Sequence, residues 1–161
     1  MQSVLPIGTE ELLSKRLIGC LGTENEDGSI HLTAIWYRFE GGVFYVATFS
    51  RSRKARNIAA RSKATLMVDI RKPASERGVV ALCTADIVTG ESSKDFNARI
   101  HQRYMSEAAL ADPRAGGMMA AMDDITLRLT PTGWYAWDMR TMDEAVFGGT
   151  MKTPGYLLPL D

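Results

Sequence analysis

The chain has two histidines, two cysteines and no net charge. His31 and His101 have no Cys, Asp or Glu partner at a ligand spacing such as HxxxH, HExxH or CxxC, so no metal site is expected. Cys20 and Cys83 each stand alone in an apolar run, which points to thiols in a reducing, cytoplasmic compartment and not to a disulfide framework. Nineteen Lys and Arg balance nineteen Asp and Glu, leaving no overall field to attract nucleic acid or an acidic membrane. No apolar run approaches the ~20 residues of a spanning helix, and the opening MQSVLPIGTEELLSK has no basic segment followed by an apolar one. The expectation is a soluble, unsecreted protein. GxSxG, GxxxxGKS/T and GxGxxG are also missing, so the common acyl-transfer, Walker and Rossmann chemistries have no support.

What is present is ordinary globular material: 161 residues, 45% hydrophobic and 24% charged, the size of one domain spanning residues 1–161. Asp27-Gly28 between the apolar runs 17–23 and 30–39 predicts a hairpin. Glu40-Gly41-Gly42 then turns the chain into VFYVATF, residues 43–49, which completes a three-strand meander. From Ser52 to Arg61 the period becomes helical, with Ala55, Ile58, Ala59 and Ser62 on one face. Two further strands are expected at 64–70 and 79–88, then a helix at 92–105 whose Phe96, Ile100 and Tyr104 form a stripe lying on the barrel. Residues 105–124 read as two short Ala/Met-rich helical pieces interrupted by Asp112-Pro113 and Gly116-Gly117. Strands at 125–129 and 134–139 flank a turn at Thr130-Pro131-Thr132-Gly133. The sum is a mainly β fold, a six- to seven-stranded antiparallel barrel with a few short peripheral helices.

One segment stands out chemically. RSRKARNIAARSK, residues 51–63, holds six basic residues and no acid. Cations at a helix start oppose the macrodipole, so Arg53 and Lys54 are misplaced for stability alone. An anion at the junction would answer them together with the hydroxyls of Thr48, Ser50 and Ser52. The alternative is a solvated basic helix face. Trp36 and Tyr37, and the cluster Trp134, Tyr135 and Trp137, offer walls for a flat ring, or core and dimer-interface residues. His31 is expected on a strand face and His101 on an exposed helix side.

The ordered combination of DG hairpin, TAIWY strand, VATFS strand and SRKARNI helix resembles the pyridoxamine 5'-phosphate oxidase-like, FMN-binding split β-barrel proteins. The resemblance covers roughly residues 17–90, with support from PTGWYAWDMR. It implies a homodimer with the flavin at the subunit interface. It also implies that Thr48, Ser50, Arg53 and Lys54 hold the cofactor phosphate, with Arg51 and Ser52 as alternates and Asn57 shaping the helix. Thr33, Ala34, Ile35 and Trp36 would border the isoalloxazine. The tail TMDEAVFGGTMKTPGYLLPLD has Lys152 as its one basic residue, which argues against oxidation of pyridoxamine phosphate itself. The same barrel serves proteins that bind a deazaflavin, coenzyme F-420, and Lys54-Ala55-Arg56-Asn57 is similar to their helix start. The expectation is therefore an FMN-dependent oxidoreductase acting on a small molecule, without a catalytic side chain. A deazaflavin-dependent reductase and a non-catalytic flavin-binding protein are the alternatives.

Overall fold

The computed structural model describes residues 4–121 and 124–160. The extreme ends of the chain and the Met122-Asp123 end of the Ala/Met-rich stretch lie outside the described residues. A short helix α1 (Thr9–Ser14) precedes the strands β1 (Gly19–Glu24), β2 (Ile30–Ile35), β3 (Arg38–Glu40) and β4 (Val43–Phe49). Helix α2 (Arg53–Ala60) leads into β5 (Lys63–Ile70) and β6 (Arg77–Val88). Helices α3 (Gly90–Tyr104), α4 (Glu107–Ala111) and α5 (Met118–Ala121) come next, then β7 (Asp124–Asp138) and α6 (Met139–Phe147).

All seven strands form one antiparallel sheet in the order β2-β1-β5-β6-β7-β4-β3. Its two edges, β2 and β3, are joined by Trp36 and Tyr37 alone. That connection reaches at most about 11 Å, whereas the edges of a flat seven-stranded sheet stand about 29 Å apart. The sheet must therefore curl until its edges meet, giving a half-barrel split between β2 and β3. The expected single strand over 30–39 and the three-strand meander are thus corrected. Alternation of side chains runs unbroken through Trp36-Tyr37, but the backbone there changes sheet edge. Helix α3 satisfies the split: the Tyr104 hydroxyl accepts from the Tyr37 N–H at 3.3 Å and donates to the Leu17 carbonyl at 2.7 Å.

A second correction concerns the two strands expected at 125–129 and 134–139, in whose place Asp124–Asp138 form one 15-residue strand. Pairing passes from Leu82 opposite Gly133 to Cys83 opposite Pro131, so Thr132 is absorbed as a bulge and its hydroxyl donates to the Leu82 carbonyl at 3.1 Å. The turn chemistry of Pro131 is spent inside the ladder. In α2 the buried apolar face is Ala55 and Ile58, while Ala59 and Ser62 are exposed.

The barrel interior holds Leu21, Leu66, Val68, Val79, Leu127 and Leu129, with an aromatic cluster at one end. There Phe39 and Phe44 lie 4.5 Å apart and Trp134 packs 5.9 Å from Phe44. Burial pushes the Cys83 thiol up to about 12, so it behaves as a small core residue and not as a nucleophile. Helix α3 lies on the barrel through Ile100, through a ring stack of Phe96 on Tyr45 at 4.0 Å, and through a buried network in which Thr126 donates to Asn97 at 2.8 Å. No helix of the described residues is long and apolar enough to cross a membrane, and none of their His, Cys, Asp and Glu side chains gather in groups of three or more able to hold a metal ion.

Candidate functional site

The β4–α2 junction is shaped by local chemistry. Ser52 caps α2, its hydroxyl accepting from the Ala55 N–H at 3.3 Å while Thr48 donates to the same oxygen at 3.1 Å. Arg53 and Lys54 then occupy the first turn, where no acid is present. Successive helical residues point about 100° apart, and these two serve different recesses.

Lys54 lines a cleft of about 310 Å³. Its floor is Ala47 and Thr48 of β4 with Ala34 and Ile35 of β2, and Trp36 stands as one wall. Ile18 and Phe49, both well exposed, form an apolar rim. Trp36 is held flat by Tyr104, whose ring stacks parallel to it with centroids 5.0 Å apart, and the Tyr104 hydroxyl bonds lock that stack to the barrel split. No carboxylate lines the cleft among the described residues, and burial lowers the Lys54 ammonium below the usual lysine range.

Arg53 lines a neighbouring recess of about 720 Å³ together with Arg56, Asn57 and Arg61. Arg53 and Arg56 are exposed and three residues apart, hence on one face of α2. Arg61 pairs with Glu24 at 3.5 Å, and Asp27 closes the far side, its carboxyl held below the usual range chiefly by the Ser29 hydroxyl. Asn57 is buried and donates to Thr23 at 3.1 Å and to Asn25 at 3.0 Å, which bolts α2 onto the β1–β2 hairpin.

Ala34, Ile35, Trp36, Thr48 and Lys54 are therefore brought together in one cleft, and Arg53 and Asn57 fall in the recess beside it. Ser52 acts as the helix cap, Arg51 is exposed in the turn, and neither they, Ser50 nor Thr33 line either recess. Sequence reasoning missed His101 and Met119, which close the cleft from α3 and α5. His101 is half-buried, its ring edge-on to Trp36 at 6.5 Å, and not on an exposed helix side as expected. The signal was available: His101 precedes the barrel-facing Tyr104 by three residues, close to the same stripe of α3. The aromatic strand separates by alternation. Trp134 is 4% exposed in the core and Tyr135 is 50% exposed.

A split half-barrel whose edge strand and strand-to-helix junction enclose a ring-sized apolar cleft with one cation defines a fold class shared with known proteins. The family model for pyridoxamine 5'-phosphate oxidase matches residues 7–138, and the chain belongs to that family. Among solved structures it is similar to an F420 reductase, at 27% identity over 81% of this chain and 98% of that one, with a TM-score of 0.62. The conserved hypothetical protein Rv2991 of Mycobacterium tuberculosis shares 24% identity over 88% of this chain and 91% of its own, with a TM-score of 0.69. The heme storage protein HutZ of Vibrio cholerae has the same fold at 16% identity, with a TM-score of 0.61 over 78% of this chain and 89% of its own. No curated protein matches the chain.

Proposed function

We propose that this protein is an oxidoreductase that binds a flavin-type coenzyme in the Trp36–Lys54 cleft and reduces or oxidises a small unsaturated molecule there. The observation that carries the reading is Lys54. It is a cation drawn into an apolar cleft without a carboxylate to answer it, beside a fixed aromatic wall. A ligand with a planar ring and an anionic group satisfies both features, since burying an unpaired charge is costly and an anion favours its charged form. When bound, such a coenzyme accepts or delivers hydride. The residues of this chain orient it. Trp36 and Ile35 border the ring, Thr48 and Lys54 hold the anionic group at the positive end of α2, and Phe49 with Ile18 keeps water from the rim.

Of the two coenzymes the deazaflavin is better supported. FMN ends in one phosphate, which Lys54 and Thr48 can answer. Arg53 and Arg56 present further exposed guanidinium groups in the adjoining recess, as a coenzyme with a longer anionic chain would use. The likeness to an F420 reductase points the same way. FMN is the second reading, supported by the family and by the hydroxyl pair Thr48 and Ser52 at the helix start.

The functional unit in this reading is a homodimer. The cleft is at the lower limit for a ligand pocket. Next to its rim, the open edge strand β2 presents Ile30 and Leu32 at 61% and 65% exposure. A second subunit would cover that edge and complete the cleft. Titration of coenzyme F-420 and FMN into the protein, followed by fluorescence and light scattering, tests all three parts. Binding of either to a dimer, with reduction of a quinone or enone by the loaded protein, is the expected result. Failure of both to bind removes the reading, and binding without any turnover makes the protein a carrier.

A further inference from the structure

We propose that the molecule carries a second anion site, on the face of α3 turned away from the coenzyme cleft, and that it takes a compact phosphate compound with two or more negative charges. The recess has a volume of about 390 Å³ and is lined by Ser14, Arg16, Arg38, Arg99, Gln102 and Arg103. It shares no lining residue with the Trp36–Lys54 cleft or with the recess of Arg53. Arg99 and Arg103 stand two positions either side of His101, which puts them about 160° around α3 from the residue that closes the cleft.

Three separate segments bring the four arginines together. Arg16 comes from the link between α1 and β1, Arg38 from the edge strand β3, and Arg99 and Arg103 from α3. Arg99 and Arg103 are a like-charged i, i+4 pair, which costs helix stability unless an opposite charge answers it. Among the described residues Glu40 is the one carboxylate that pairs with any of the four, accepting from Arg38 at 2.8 Å and from Arg99 at 3.0 Å. Arg103 has no carboxylate partner. Its Nη2 donates to the carbonyls of Leu13, Ser14 and Lys15 at the end of α1, and its Nε is buried without an acceptor. Arg16 is exposed and forms no ion pair. One carboxylate therefore serves four guanidinium groups, in a chain whose total charge is zero.

The arrangement is also held in place. Arg99 lies over the Phe96 ring at 4.8 Å and Arg103 over the Tyr37 ring at 5.4 Å. With Glu40 and the α1 carbonyls, these rings fix three of the four guanidinium groups before any ligand arrives, and the exposed Arg16 is left as the arm that closes over it. A guanidinium carries five N–H donors, so Arg38 and Arg99 keep most of theirs after pairing with Glu40. No apolar or aromatic side chain lines the recess, so a ring ligand has nothing to rest on. What remains is a convergent set of planar forks, which matches the oxygens of a phosphate bidentately. A nucleic-acid strand would need such cations in an extended row, whereas these converge on one recess the size of a diphosphate or a small phosphate ester.

The test uses the full-length protein without coenzyme and inorganic pyrophosphate as probe, followed by the Nε–H resonances of the arginines. In the wild type, those of Arg16, Arg99 and Arg103 should move together and saturate with one Kd. Arg16→Gln should weaken that Kd about tenfold or more, and Arg16→Glu should abolish saturation, with melting temperature unchanged because Arg16 holds no partner in the fold. Arg53 and Arg56, where pyrophosphate also meets cations, should follow a separate Kd that the Arg16 variants leave alone. Shifts at the recess that never saturate, or a Kd indifferent to both Arg16 variants, overturn the proposal. Malonate binding there as tightly as pyrophosphate overturns the phosphate class, and a single-stranded oligonucleotide binding there more tightly than pyrophosphate makes the recess part of a nucleic-acid surface. Displacement of pyrophosphate from the recess by FMN or coenzyme F-420 makes it a part of the coenzyme site and overturns its independence.

Discussion

The junction 48–57 and the final strand segment 134–138 are both rich in residues suited to a ligand, yet the fold treats them oppositely. At the junction, a strand end and a helix start place Thr48 and the cations Lys54, Arg53 and Arg56 along two adjoining recesses. Along the final strand the pleat sends alternate aromatics to opposite faces, so Trp134 joins Phe39 and Phe44 in the core and Tyr135 faces solvent. The contrast shows that side chains close in sequence converge on one ligand where the backbone changes direction and diverge where it stays extended.

The largest effect that separates the two regions is on stability. Trp134→Ala removes a side chain that touches both Phe39 and Phe44 from a closed interior, and should cost about 3–5 kcal/mol. Because Trp134 lines neither recess, the remaining folded protein should bind coenzyme with unchanged affinity. Denaturant unfolding paired with a coenzyme titration checks both statements, and a loss of affinity with little loss of stability would move the ring wall to the last strand.

Lys54→Ala should show the reverse. Loss of one charge-assisted contact weakens coenzyme binding by about 1.5–3 kcal/mol, about ten- to a hundredfold. The coenzyme-free protein should be no less stable, since an uncompensated cation has left an apolar cleft. Arg53→Ala sharpens the assignment further. Arg53 belongs to the neighbouring recess, so it should weaken F-420 more than FMN.

Asn57→Ala gives the next effect in size and divides the junction itself. Asn57 sits among the basic residues in sequence, but its amide is spent on Thr23 and Asn25. Its loss should cost about 1–3 kcal/mol of stability through unmet buried partners. Coenzyme affinity should fall only as far as α2 loosens. A melting curve beside the titration distinguishes an anchor of the helix from a ligand of the coenzyme.

These contrasts also mark what was legible in the sequence. The hairpin at Asp27-Gly28, the helix after Ser52 and the cation pair at its start rest on interactions within a few residues, and the structure keeps all of them. The break at Trp36-Tyr37 was hidden because alternation persists across it. The continuity of β7 was hidden because pairing with β6 overrides the turn preference of Pro131. Asn57 as a bolt and His101 as a wall depend on contacts with segments 32 to 65 residues away. Periodicity within one segment carries no information about such partners.

The smallest expected effect is a slope with pH, and its sign distinguishes a buried cation from a solvated one. Burial lowers the Lys54 ammonium in the folded protein below its ordinary value, while the unfolded chain keeps the ordinary one. Between the two values the unfolded state binds more protons, so the stability of the coenzyme-free protein should rise as pH increases through that alkaline window. Below the window both states are protonated and the penalty of burying the charge is constant. Above it both are neutral and the penalty is gone. Other lysines and tyrosines titrate in the same range, so the quantity to follow is the difference in unfolding free energy between wild type and Lys54→Met, which should shrink as pH rises. A bound anion beside Lys54 favours its charged form and should abolish the slope, with proton uptake on coenzyme binding in the same window, measurable by calorimetry in buffers of different ionisation enthalpy. A difference that is flat without coenzyme would place Lys54 on a solvated face, and the junction would then resemble the outward half of the last strand and not a coenzyme site.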